Sequence, residues 1–237
     1  MIECPICGCT ELVEANGRPA ALCKGCGAYE RTRLMWLVLD QLLEPRDRRD
    51  ILHFAPERGL AARLSSLGGD GYRALDFEPA GFRIKDVEVE RFDLCSDTRG
   101  LAGESVDLIV HSHVLEHVPC AVGAVVRNLN AALRPGGYHV FSVPIIGTSF
   151  EEDLGDGVSD EERRRRFGQE DHVRRFGRED ARAMFTDMFG EDVHFTRLAS
   201  LGADSLCGAG VPSAVLTEAS SHTVFAWRKP VRQVRGA

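Results

Sequence analysis

The chain has 237 residues, 43% hydrophobic and 27% charged, and its 29 Lys and Arg against 36 Asp and Glu leave a formal net charge of −7. That length holds one full α/β domain and a small appendage, since domains run to roughly 100–200 residues, and the negative balance gives no global pull toward nucleic acid or an anionic membrane. No apolar run reaches the roughly 20 residues that span a bilayer, and "MIECPICGCT" lacks the basic start and apolar core of a signal peptide, so the expected setting is the cytoplasm.

In a reducing compartment, paired cysteines point to metal before disulfide. Cys4 and Cys7 in "CPICG" and Cys23 and Cys26 in "CKGCG" form two C-x2-C doublets, each followed by a glycine that relieves a tight turn. Four thiolates at about 2.3 Å suit tetrahedral zinc with no open position, which makes the site structural. Cys9 is a spare, and Cys95, Cys120 and Cys207 stand alone and read as small buried residues. A ribbon over 1–30 this small needs the metal for much of its folding energy.

"RTRLMWLVLDQLLEP" follows, apolar almost all round a helix that must end before Pro45. Such a helix needs cover on several sides, so residues 31–49 are expected to dock the ribbon onto a main domain over 50–237. From Asp50 short apolar runs alternate with amphipathic stretches, the pattern of a parallel sheet with crossover helices. Strands are expected at 50–55, 72–77, 88–92, 106–111 and 138–143. "AVGAVVRNLNAALRPGG" reads as a helix stopped by Pro135-Gly136-Gly137. A helix near 178–188 and the strands "DVHFTRL" and "HTVFAWRK" complete the pass.

The segments "ALDFEP", "FDLCS", "SVDLIVHSHVLEHV" and "LRPGGYHVFSVPI", in that order, carry a resemblance to the class I S-adenosylmethionine-dependent methyltransferases, particularly the small-molecule group whose fourth strand runs into a "LEHV" segment. The resemblance implies a Rossmann-like α/β sheet of seven strands with the last one antiparallel, carrying the ribbon as an addition. It also implies that 53–59 wraps the methionine part of the cofactor, with Phe54, Ala55, Glu57 and Gly59 in contact. The loop departs from the family pattern, because His53 stands for the usual acid and Ala55 and Glu57 for glycines. Glu57 nonetheless suits a cofactor with an ammonium and a sulfonium but no phosphate, although an acid there can also serve a helix start. Asp76, with Phe77 beside it, is placed to accept from the ribose hydroxyls, and Asp93 with Leu94 to meet the adenine.

His111, His113 and His117 follow the fourth strand. A shared metal is not expected of them, since 111 and 113 lie on one strand face, 117 lies beyond a turn, and no acidic companion completes a catalytic zinc set. By resemblance His113 lines the cofactor and His117 packs. The arginines of "EERRRRFGQEDHVRRFGRED" are interleaved with acids and read as a solvated helix face. Asp171-His172, in the region that covers the acceptor in the resembling enzymes, is the candidate catalytic pair, with His172 as base; a cap and a surface histidine is the alternative. Insertions at 144–177 and 199–221 are expected to form a lid.

The expected activity is methyl transfer by in-line displacement from S-adenosylmethionine to a small-molecule or carrier-bound acceptor, with alignment as most of the catalysis. Nucleic acid and membrane are disfavoured as partners and a homodimer stays open. Two other readings remain, an RNA methyltransferase that reads RNA with its ribbon and a binding module that kept the fold without activity. Against the first, Tyr29 is the ribbon's sole aromatic.

Overall fold

The computed structural model describes residues 2–44, 49–190, 194–195, 201–216 and 219–231. The chain opens with an antiparallel hairpin, β1 (Leu12–Ala15) and β2 (Arg18–Cys23). Asn16 and Gly17 join them, both at positive φ, as a two-residue turn that follows the strand twist requires. The two cysteine doublets close equivalent turns, in which the Gly8 N–H donates to the Cys4 carbonyl and the Gly27 N–H to that of Cys23, each at 2.8 Å. Helix α1 (Glu30–Leu42) follows.

Then come β3 (Ile51–Phe54), α2 (Arg58–Gly68), β4 (Tyr72–Asp76), β5 (Val89–Arg91), β6 (Val106–Ser112), α3 (Val122–Ala132) and β7 (Leu133–Ser142). After them lie a small pair, β8 (Glu151–Glu152) and β9 (Arg174–Arg175), separated by α4 (Asp160–Phe167). The chain continues through α5 (Ala181–Phe189), β10 (His194–Phe195), α6 (Ala203–Gly208) and β11 (Val224–Arg228). Among the described residues seven strands form one sheet in the order β5-β4-β3-β6-β7-β11-β10. The first five strands pair parallel, and β11 lies antiparallel between β7 and β10. Strand order reverses at β3, flanked by β4 and β6, and the crevice at such a reversal is where open α/β sheets bind ligands.

Both faces of the sheet are covered, which is why its strands are apolar runs rather than alternating ones. Leu52, Phe54, Leu75, Ile109 and Phe141 pack against α3 and α5 on one side. On the other, Ile51, Leu108, Val110, Val140 and Val224 meet Leu34, Met35 and Leu39 of α1, Leu60 and Leu64 of α2, and Cys4 and Ile6 of the ribbon. Helix α1 thus has the cover on several sides that its sequence demanded, with Asp40 and Gln41 left exposed. Strand β7 starts at Leu133, five residues before the expected 138; Pro135-Gly136-Gly137 ends α3 as anticipated but continues as extended chain across an irregularity in the β6 pairing. Of the penultimate strand His194–Phe195 is described, the rest of "DVHFTRL" lying outside the described residues.

Ribbon and main domain share one core and one buried cation. Arg33 on α1 is fully buried and donates through Nε to the Ala209 carbonyl, through one terminal nitrogen to Ala21 and Ala28, and through the other to Ala20 and Gly210, at 2.7–3.0 Å. The 199–221 segment is therefore not simply a lid. Its 203–211 part packs against α1 and the ribbon, and only its end reaches the strand edge, where the Ser221 carbonyl meets His113. Cys95 and Cys120, expected to stand alone, form a disulfide with Cα atoms 6.0 Å apart, a separation in the usual bonding range. No described helix is long and apolar enough to cross a membrane.

Candidate cofactor and acceptor site

Four parallel strands, β5, β4, β3 and β6, end side by side along one edge of the sheet, about 5 Å apart from one to the next. The opening loop leaves β3 at Ala55, whose φ of 48° keeps the left-handed conformation a glycine would take and whose N–H donates to the Leu75 carbonyl. Such a conformation costs a non-glycine residue about 1–2 kcal/mol, so the glycine is gone while its geometry remains. Phe54, inside β3, is buried in the core and stacks edge-on with Phe92. It supports the loop from beneath.

Glu57 occupies the N-cap position of α2 but makes no capping hydrogen bond. Its Oε1 accepts from the Thr32 hydroxyl at 3.0 Å and lies 3.8 Å from Arg31 Nε, while its buried Oε2 has no partner. Desolvation raises the carboxyl above its ordinary value, against the pull of Arg31, Thr32 and Ser112. A carboxylate left short of partners at the switch point is the chemistry that an ammonium group satisfies.

Gly59 has a different reason from the expected one. A Cβ there would stand 2.9 Å from the Cys26 sulfur and 3.0 Å from its Cβ. The residue is glycine because the ribbon touches α2 at this point. Arg58 adds a hydrogen bond from Nε to the Cys26 carbonyl at 3.0 Å. In the ribbon, Cys4 and Cys26 sulfurs lie 3.7 Å apart and those of Cys7 and Cys23 3.6 Å, with one sulfur from each cysteine within 4.8 Å of the others. Gly59→Ala is expected to push Cys26 out of place and to lower stability by about 1–3 kcal/mol. Chemical denaturation checks it, and an unshifted midpoint would show that the ribbon can move away freely.

Asp76 ends β4, where its Oδ1 accepts from the Glu78 N–H at 2.8 Å. Phe77 beside it is 56% exposed, with the Arg91 guanidinium 5.1 Å from its ring centre. Asp93 follows β5 and turns the chain by accepting from the Cys95 N–H at 2.8 Å. The half-buried Leu94 packs against the core, and its carbonyl accepts from Thr98. His113 leaves β6 at a φ of 54°, its N–H bonded to the Ser142 carbonyl. It therefore does not share a strand face with His111, which stacks on Phe141 and meets His139 Nε2 at 2.9 Å inside the core. Burial lowers His113 to about 4 and keeps it neutral.

On the acceptor side the expected pairing is rearranged. His172 is 2% exposed, not a surface residue, and its Nδ1 lies 2.9 Å from the Phe167 carbonyl. Asp171 meets His117 Nδ1 at 3.2 Å rather than serving His172. His117, assigned to packing, has a side chain 37% exposed, and its ring stands edge-on to His172 with centres 4.7 Å apart. The acidic companion that the histidines were expected to lack is Glu116, fully buried and raised to about 8 by desolvation. Arg174, also fully buried, secures this segment by donating to the Leu115 and Cys120 carbonyls and to Glu152. The other arginines of 161–180 include ion pairs from Arg166 to Glu151 and Asp153, Arg165 to Glu162, Arg164 to Glu170, and Arg175 to Glu151. Their charge is largely neutralised within the segment.

This strand order, with its one antiparallel strand, is that of the class I S-adenosylmethionine-dependent methyltransferases. The chain belongs to the methyltransferase-domain family, whose model matches residues 28–188. Solved structures with similar chain paths include a methyltransferase from Archaeoglobus fulgidus, 17% identical with a TM-score of 0.40, over 50% of this chain and 55% of that one. The chain thus spans about half of that protein. Others are a methyltransferase from Mesorhizobium loti (18% identity, TM-score 0.47, 82% of this chain and 97% of that) and a protein from Bacillus halodurans described as a methyltransferase (12%, 0.47, 83% and 99%). No curated protein matches this sequence.

Proposed function

We propose that the chain moves the methyl group of S-adenosylmethionine to a small-molecule or carrier-bound acceptor and that a structural zinc holds its ribbon. The observation that carries the cofactor site is the row of Glu57, Asp76 and Asp93 after three adjacent strands, with Glu57 left one buried oxygen short of a partner. Glu57 would take the ammonium, Asp76 the ribose hydroxyls and Asp93 the adenine amino group, with Phe77 and Leu94 as apolar neighbours and neutral His113 beside the methionine end. The bound cofactor supplies an electrophilic methyl on a good leaving group. What remains for the protein is to align the acceptor and exclude water.

His172 was the candidate base, but its burial and its Phe167 contact suit it to positioning. The neutralised arginines favour a small acceptor over a polyanionic one. For the ribbon, the 3.7 and 3.6 Å sulfur separations fit the edge of about 3.8 Å that a tetrahedron with bonds of about 2.3 Å has.

Calorimetry tests the cofactor reading. S-adenosylmethionine and S-adenosylhomocysteine should bind and NAD should not, and Asp76→Ala should weaken both by about 1.5–3 kcal/mol, the loss of charge-assisted bonds. NAD binding would overturn the reading, and unchanged affinity in the variant would move the ribose to another carboxylate.

A further inference from the structure

We propose that Glu116, His117 and His172 form a site for a divalent first-row transition cation, separate from the four-cysteine ribbon. One ligand atom from each of the three lies within 4.8 Å of the other two, and the hydrogen bonds around them choose which atoms are free. His117 Nδ1 lies 3.2 Å from Asp171 Oδ2, and His172 Nδ1 lies 2.9 Å from the Phe167 carbonyl oxygen. Both acceptors require N–H at Nδ1, which leaves the lone pair of each imidazole on Nε2. An imidazole whose far nitrogen donates to a carboxylate or a carbonyl is the arrangement that holds histidine ligands on metals. His117 Nε2 faces Glu116, 4.0 Å from Oε1.

Glu116 supplies the independent observation. Its side chain is 0% exposed and both carboxylate oxygens are buried without a hydrogen bond. Leaving a buried carboxylate in that condition is costly, and the nearby Arg31 and Arg174 offset it only at a distance, without a hydrogen bond. Arg174 is directed to Glu152 and to the Leu115 and Cys120 carbonyls, and Arg31 leans toward Glu57. His113 does not relieve it either. Its Nε2 meets the Ser221 carbonyl at 3.0 Å and so carries the proton, which turns the Nδ1 lone pair toward Glu116 Oε1 at 3.6 Å. Two acceptors facing across a buried gap are reconciled either by a proton on Glu116 or by a cation that displaces it, and His113 Nδ1 is a candidate fourth ligand.

The frame is already assembled. The Val173 N–H donates to the Glu116 carbonyl at 2.9 Å, joining the segment that carries His172 to the one that carries Glu116 and His117. The side chain of His117, 37% exposed, gives an entry path. Ligand atoms at about 2.0–2.2 Å from a metal sit roughly 3–3.5 Å from one another, so loading would draw the group together. Two imidazoles with one carboxylate suit zinc, iron, cobalt or manganese rather than calcium. On the methyl-transfer reading, the open positions would take an oxygen of the acceptor.

The test is a Co²⁺ titration of the full chain without cofactor, so it is independent of that reading. Cobalt on thiolates gives an intense sulfur-to-metal band in the near ultraviolet, and cobalt on imidazole and carboxylate does not. We expect one bound equivalent that adds no sulfur band, weakened at least tenfold by His117→Asn, and also weakened by roughly tenfold in Asp171→Asn, whose carboxylate orients the ring. His117 and Asp171 are both exposed enough for the variants to keep the fold, which circular dichroism verifies. Bound cobalt that always carries the sulfur band, or a second equivalent held with unchanged affinity in His117→Asn, would falsify the proposal.

Discussion

Replacing Cys23 with Ser is expected to strip the ribbon of its metal and to melt the hairpin of Leu12–Ala15 and Arg18–Cys23. The ribbon's buried contribution is slight, with Cys4, Ile6, Ala21, Cys23 and Ala28 as its apolar interior. A piece of this size cannot offset its conformational entropy unaided. Structural zinc contributes about 10–16 kcal/mol of apparent binding free energy in small fingers at neutral pH, so loss of one thiolate removes the largest favourable term the ribbon has. Elemental analysis of the freshly purified protein should find one tightly held zinc per chain and a marked deficit in the variant, together with a lower thermal midpoint. A wild-type protein free of metal yet fully stable would eliminate the zinc.

Arg33→Met should cost about 4 kcal/mol, near the upper end for single substitutions. Methionine fills part of the space, but it removes all five donors and leaves the carbonyls of Ala21 and Ala209 short of a buried partner, those of Ala20 and Gly210 being part-exposed and that of Ala28 keeping the Cys23 N–H. Lysine would not restore the arrangement, because its ammonium has three donors and no planar fork. Denaturant midpoints for Arg33→Met and Arg33→Lys decide the matter, and an Arg33→Lys variant as stable as the parent would show that charge rather than geometry is what the site needs.

The sheet is legible because its strands are buried on both faces and therefore stand out as apolar runs, and the four-cysteine cluster because C-x2-C spacing directly reflects a turn. Glu57, Asp76 and Asp93 are legible as acids after those runs, the positions from which the proposed cofactor contacts are argued. Gly59 stands out as a position that tolerates no side chain, but the neighbour that forbids one is Cys26, distant in sequence. Glu116 has no signal of its own within "LEHV", where the histidine is the conspicuous residue. Only the tertiary contact with His172 shows that the acid faces inward with no partner. The Cys95–Cys120 bond is hidden for a related reason, since compartment arguments do not reveal that two Cα atoms lie 6.0 Å apart. Strand β7 begins early because Leu133 already pairs with Val106, Pro135-Gly136-Gly137 forming the irregularity before pairing resumes at Tyr138.

The Arg33 contacts also set an order of events during synthesis. A ribosome delivers the ribbon and α1 first, but two of the carbonyls that satisfy Arg33 belong to residues 176 and 177 positions later. Domains generally fold as units, N-terminal parts emerging at about 5–20 residues per second, so a nascent ribbon spends many seconds with this guanidinium still able to reach water. The four cysteines, all within the first 26 residues, are together from the start. The last two of the five bonds to this cation must therefore wait for the Ala209–Gly210 turn that follows α6.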